Sequence, residues 1–107
     1  MSVVVVRYRT KPDRADENQA LVEKVFAELA ATQPAGLRYA TFRLADGDQF
    51  VHVAEVDTAD GTNPLAAVAA FAEFQRGIPE RMVDGPVVAD ATVVGSYGFG
   101  FAAEVPA

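Results

Sequence analysis

The apolar patterning of this chain predicts an α+β fold in the order strand, helix, strand, strand, helix, strand. Three observations carry that expectation. β-branched residues crowd the first ten positions, two stretches repeat apolar residues at helical spacing, and an Asp-Gly turn separates two strand-like segments. At 107 residues, 50% of them hydrophobic, the chain suits one domain that buries its own core, and disorder is not expected.

The first strand is VVVVRYRT, Val3 to Thr10, stopped by Pro12 and Asp13. Asp13 is the expected N-cap of the first helix, with Asp16 and Glu17 placing negative charge in its first turn. Leu21, Val22, Val25, Phe26 and Leu29 then recur at helical spacing, and Pro34 and Gly36 end the helix near Gln33. Leu37 to Ala45 is the second strand. The Asp-Gly pair in ADGD turns it back into the third, Phe50 to Val56. Asn63-Pro64 matches an N-cap followed by proline at the first helical position, opening an alanine-rich helix over Leu65 to Gln75. Gly77 and Ile78-Pro79 break it, and Pro79 to Val83 adds one more turn. Gly85-Pro86 opens the last strand, PVVADATVVGSY, and the tail beyond it, residues 99–107, has no clear pattern. The result is one ferredoxin-like unit: a four-stranded antiparallel sheet with both helices on one face.

Composition narrows the function classes. Cysteine is absent, which removes disulfides, thiol nucleophiles and thiolate metal sites and fits a reducing cytoplasm. Val3 to Val6 is too short for a signal-peptide core, and no stretch approaches the ~20 apolar residues of a membrane span. A net charge of -6 disfavours nucleic acid, although Arg7, Arg9, Arg38 and Arg43 lie on neighbouring strands. One histidine with scattered carboxylates is no transition-metal set, and DTADG lacks the alternating ligands of a calcium loop, so no metal is expected.

Strand alternation sorts side chains into two faces. Val4, Val6, Tyr8, Ala40, Phe42, Leu44, Val51, Val53, Val87, Ala89, Ala91 and Val93 form an apolar set suited to the helix-covered side. The other set mixes Val3, Val5, Phe50, Val56, Val88 and Val94 with Arg7, Tyr39, Thr41, Arg43, His52 and Asp90. Exposed apolar groups in such number mark an interface, and a second copy of the same sheet is the simplest cover. On that reading Arg7, His52 and Asp90 meet on three neighbouring strands as an interface network. His52, the sole histidine, is then either a buried structural group there or a catalytic base. Asn18 falls on the apolar face of the first helix. It is either wet beyond the sheet edge or a polar handle in a pocket between helix and sheet. The second helix, with Leu65, Val68, Phe71, Ala72 and Phe74, is apolar on most sides, as a helix facing both the sheet and a partner or ligand would be.

The βαββαβ order, the VVVVRYRTKPD opening, the ADGD hairpin and the closing VVADATVVGSY strand together resemble the dimeric α+β barrel superfamily. Within it the chain looks most like the antibiotic biosynthesis monooxygenase group, over roughly residues 3–98. The resemblance implies a homodimer whose two sheets pack into a barrel; the chain is read as a single domain, and one place for its tail, residues 99–107, is over the partner subunit. It also implies a small cleft in each subunit between helices and sheet, and oxidation of a small aromatic substrate without a cofactor. The group uses tyrosine, tryptophan, asparagine and arginine side chains around its substrate. This chain has no tryptophan, and it lacks the first-strand asparagine and second-helix histidine of the related haem-degrading branch. The implied catalytic candidates are His52, Tyr39 and Asn18, and the implied substrate-binding candidates are Tyr8, Arg43 and Phe71. The alternative is a dimer that binds a small apolar molecule, or serves a pathway, without catalysis. A DNA-linked regulator ranks last, because no helix-turn-helix segment is present.

Overall fold

The computed structural model describes residues 1–98. Its elements are β1 (Ser2–Thr10), α1 (Ala15–Thr32), β2 (Leu37–Arg43), β3 (Gln49–Val56), α2 (Ala69–Arg76), the single turn α3 (Ile78–Arg81) and β4 (Met82–Ala91). The four strands form one antiparallel sheet in the order β2-β3-β1-β4. Val22 and Val25 of α1 and Phe74 of α2 pack with Tyr8 and Phe50, so both long helices cover the same face.

Several boundaries differ from the sequence expectation. Asp13 does not cap α1. Pro12–Arg14 closes a 3-10 turn instead, and Arg14 occupies the cap position before Ala15. The C-terminal end is as expected: Gln33 turns left-handed at φ 46° and its N–H bonds the Leu29 carbonyl at 2.8 Å. Gly36 follows at φ 82°, where an added Cβ would sit 2.7 Å from both the Asp57 carbonyl oxygen and Thr58 Cγ2. Asn63 does cap, accepting from Leu65 N–H at 3.0 Å, but the capped unit is a 3-10 turn, Pro64–Ala67. Val68 is extended, so α2 begins only at Ala69 and has no cap of its own. Glu28 of α1 supplies one from outside. Its carboxylate accepts from Ala69 N–H at 3.1 Å and Ala70 N–H at 2.9 Å, where the helix dipole favours negative charge. β4 starts at Met82, before Gly85-Pro86, and ends at Ala91, short of Tyr97.

The two-face assignment needs correction. Residues directly opposite one another on paired strands project to the same face. Val6 pairs with His52 and Val88, Tyr8 with Phe50, Thr41 with His52, and Tyr39 with Ala54. Phe50, His52, Val56, Tyr39, Thr41, Arg43 and Val88 therefore share the helix-bearing face with Val4, Val6 and Tyr8, with Arg43 and Val88 at its exposed margins. The open face carries Val5, Ala40, Phe42, Val51, Val53 and Val87, with Arg7 among them. The β1 assignment holds, and those of β2, β3 and β4 are reversed. In β3 both alternations are largely apolar, so hydropathy alone did not set the phase. The burial pattern of β3 alternates strictly, with Phe50, His52, Ala54 and Val56 buried.

The proposed network of Arg7, His52 and Asp90 does not form. Arg7 lies exposed on the open face, while His52 is buried on the opposite one. Asp90 pairs with Val4, two positions along β1 from the residue opposite His52, and is exposed on the edge strand. The tail beyond residue 98 lies outside the described residues.

Candidate functional site

The polar centre beneath the helices is a line of hydrogen bonds that crosses the domain. At one end Arg81, 2% exposed, closes α3. Its carbonyl accepts from Lys11 N–H at 2.8 Å, which anchors the residue where β1 runs out. Its Nε donates to Asn18 Oδ1 at 3.0 Å and Nη2 donates to the Phe74 carbonyl at 2.8 Å, while the guanidinium carbon lies 5.2 Å from the centre of the Phe74 ring. Gly77, one helical turn earlier, leaves room for this group, since a Cβ added there would overlap Arg81 Nη1.

Asn18, fully buried in the first half of α1, donates from Nδ2 to the Tyr8 hydroxyl at 2.9 Å. That hydroxyl lies 2.7 Å from His52 Nε2. On the far side of the imidazole, Nδ1 is 2.6 Å from the Tyr39 hydroxyl and 3.1 Å from Thr41 Oγ1. β1 presents Tyr8, β3 presents His52, and β2 presents Tyr39 and Thr41. Cross-strand register brings them together.

Burial keeps all three rings neutral. It pushes the His52 pKa down to about 4 and the Tyr39 pKa up to about 12, with the Thr41 hydroxyl opposing the shift at Tyr39. Burial also raises the pKa of Tyr8, against the opposing hydrogen bond from Asn18. With both ring nitrogens engaged and its basicity lowered, His52 is a connector between hydroxyls at neutral pH.

Tyr8, Tyr39 and His52 form the polar side of a cavity of about 200 Å³ between the sheet and α2. The remaining lining is mostly apolar, including Val6, Leu65, Phe71, Phe74 and Ile78. An apolar pocket with few convergent polar groups is the usual form of a small-molecule site. Tyr39 is braced from behind by Phe26 of α1, stacked at 5.0 Å between ring centres.

The sequence-derived candidates fall into three groups. His52, Tyr39 and Tyr8 meet at the cavity, and Phe71 lines it. Asn18 sits one layer behind, fully buried and bonded to Tyr8, rather than wet beyond the sheet edge. Arg43 stays outside the cavity. It is occupied by the Gly47 carbonyl, Asp16 and Gln19, and ties β2 to α1. Two residues escaped the sequence reading. Arg81 stands in a four-residue turn with no periodicity to mark it as buried. Thr41 was legible in principle, two positions from Tyr39 on one strand and so on the same face. Among the described residues no cluster of three or more His, Asp or Glu side chains is placed to hold a metal ion. No helix there is long and apolar enough to cross a membrane.

No protein-family model matches the chain, and no curated protein matches it. Solved structures do. A crystal structure described as an antibiotic biosynthesis monooxygenase is 20% identical with a TM-score of 0.71, the match covering 89% of this chain and 100% of that one. Rv0793 from Mycobacterium tuberculosis is 18% identical with a TM-score of 0.68, over 89% of this chain and 96% of that one. NE2512 from Nitrosomonas europaea, a protein of unknown function, is 12% identical with a TM-score of 0.70, over 99% and 94%. At these identities the likeness is one of fold. The chain has the ferredoxin-like α+β architecture of antibiotic biosynthesis monooxygenase structures, as its sequence led us to expect.

Proposed function

We propose that the cleft binds a small aromatic molecule bearing one oxygen substituent, and that the protein oxidises it with dioxygen without a cofactor. One observation carries this reading: a mainly apolar cavity of about 200 Å³ with the neutral hydroxyl and imidazole groups of Tyr8, His52 and Tyr39 along one side. A cavity of about 150 Å³ holds a benzene ring, so this one suits one or two rings. A phenol that enters as its phenolate, its proton left in solvent, would have that anion held by hydrogen-bond donation from Tyr39, and the phenolate is the electron-rich form that reacts with dioxygen. In the overall reaction a phenol and one dioxygen give a quinone and one water. One oxygen atom enters the ring, and the other leaves with two hydrogens from the substrate. In this scheme His52 holds the two tyrosines in place and is not the base, the structural one of the two roles weighed from the sequence.

A second reading, binding without turnover, is favoured by the same engaged imidazole, because among the described residues no side chain with a pKa near neutrality faces the cavity to take a proton. Calorimetry and oxygen uptake with a panel of one- and two-ring phenols and quinones separate the two. Binding with oxygen uptake supports the enzyme, and binding alone supports the second reading. If nothing in the panel binds, neither survives. Tyr39→Phe is expected to weaken binding roughly 5–10-fold, the worth of one hydrogen bond.

The working unit in this proposal is a homodimer. Val5, Phe42, Val51, Val53 and Val87 leave an apolar sheet face without helices, on which Phe42 and Val87 are 44% and 46% exposed. Native mass spectrometry is expected to give twice the chain mass. A monomer at micromolar concentration would remove the dimer from the proposal.

A further inference from the structure

The hydrogen-bond line through His52 has a direction, and its origin is Arg81. A guanidinium donates and never accepts. The Asn18 atom that faces Arg81 Nε at 3.0 Å must therefore be the amide oxygen, which turns Nδ2 toward Tyr8. The Tyr8 oxygen, already accepting from Asn18, has one proton to place. Among the described residues its only acceptor within reach is His52 Nε2 at 2.7 Å. A neutral imidazole that accepts at Nε2 carries its proton on Nδ1. Nδ1–H then points to the Tyr39 hydroxyl at 2.6 Å, with Thr41 Oγ1 alongside at 3.1 Å. These two hydroxyls end the line with a proton to spare. Tyr39 opens on the cavity, and Thr41 on the neighbouring groove with Phe26, Arg43 and Phe50.

We infer that Arg81 is a positioning residue that polarises this line, so that the cleft offers a hydrogen-bond donor at Tyr39 and selects ligands with an acceptor oxygen there, a carbonyl or a phenolate. The identity of the ligand rests on the proposed function, whereas the direction of the line does not. Among the described residues no carboxylate forms an ion pair with Arg81; Glu17 and Glu80 act on it only from beyond contact distance, so no direct partner takes up its charge. Each bond in the line aligns its dipole with that charge, and an oxyanion at the far end completes the arrangement.

The chain contains one histidine, so nitrogen NMR of 15N-histidine-labelled protein at neutral pH shows a single imidazole. The expected spectrum has a protonated Nδ1 and an unprotonated Nε2. The opposite tautomer in the unmodified protein overturns the inference, and this measurement needs no variant to fold. Asn18→Asp then tests the origin of the direction. A carboxylate there accepts from both Arg81 and Tyr8, so the Tyr8 oxygen becomes the acceptor for Nε2–H and the tautomer reverses. A folded Asn18→Asp protein that keeps its proton on Nδ1 shows that Arg81 and Asn18 do not set the direction. Failure of every phenol and quinone to bind, with the expected tautomer present, would sink the proposed function and leave the direction standing.

Discussion

Arg81→Met is expected to lower the unfolding free energy by about 4 kcal/mol, a large share of the roughly 5–15 kcal/mol that holds a domain of this size together. The guanidinium makes two hydrogen bonds to buried acceptors, Asn18 Oδ1 and the Phe74 carbonyl. Each acceptor left unpaired costs about 1–3 kcal/mol. Methionine fills most of the stem's volume, so lost packing adds little. The effect reaches beyond stability, because Asn18 is then free to turn its amide and Tyr8 loses its fixed donor. Urea unfolding followed by fluorescence gives the midpoint. A drop of less than about 1 kcal/mol would mean that Arg81 is not the tie between α3, α1 and α2 described above. Arg76, exposed at the end of α2, is the natural control, and Arg76→Met should stay within about 0.5 kcal/mol of the parent.

Acid should weaken the fold before its carboxylates titrate. His52 has a pKa of about 4 in the folded chain against an ordinary value of 6.5. The unfolded chain therefore binds the proton more readily. Stability is at its full value above pH ~6.5 and falls as the pH drops towards the folded pKa, by about 3 kcal/mol in all. Most of the upper half of that window lies above the range where Asp46, Asp60 and Glu17 take up protons, since all three are held below the ordinary carboxylate range by their hydrogen bonds. Urea midpoints measured between pH 7 and pH 5 isolate the histidine. His52→Gln should flatten the slope there, and an unchanged slope in that variant would assign the effect to other groups.

The topology was legible because its signals are local: β-branched runs, one Asp-Gly turn, Asn63-Pro64 and the Pro34-Gly36 stop each act within a few residues. The core helices followed from spacing alone. The face of β3 was not legible, because valines occupy one alternation and Phe50, Ala54 and Val56 the other. Only pairing against β1 decides which set lies inside. That reversal moved His52 from an imagined subunit interface to the cleft. Tyr8 and Tyr39 could be named as site residues, but their bonds to the two nitrogens of one imidazole depend on register across three strands. Arg81 carried no signal. A charged residue in a short turn usually faces water, and this one is buried because Asn18 and the Phe74 carbonyl, distant in sequence or in the preceding helix, give its donors partners.

Gly77 and Arg81 also constrain how this chain can change over generations. The glycine's bare Cα is the space the guanidinium occupies. A side chain gained at position 77 must displace a group whose bonds are already committed, so it arrives as a harmful step while Arg81 is present. Once position 81 has shortened, the same change at 77 meets open space. Change at 77 is thus conditional on prior loss of Arg81, itself a costly step, and the order of substitution matters as much as the identity of the residues.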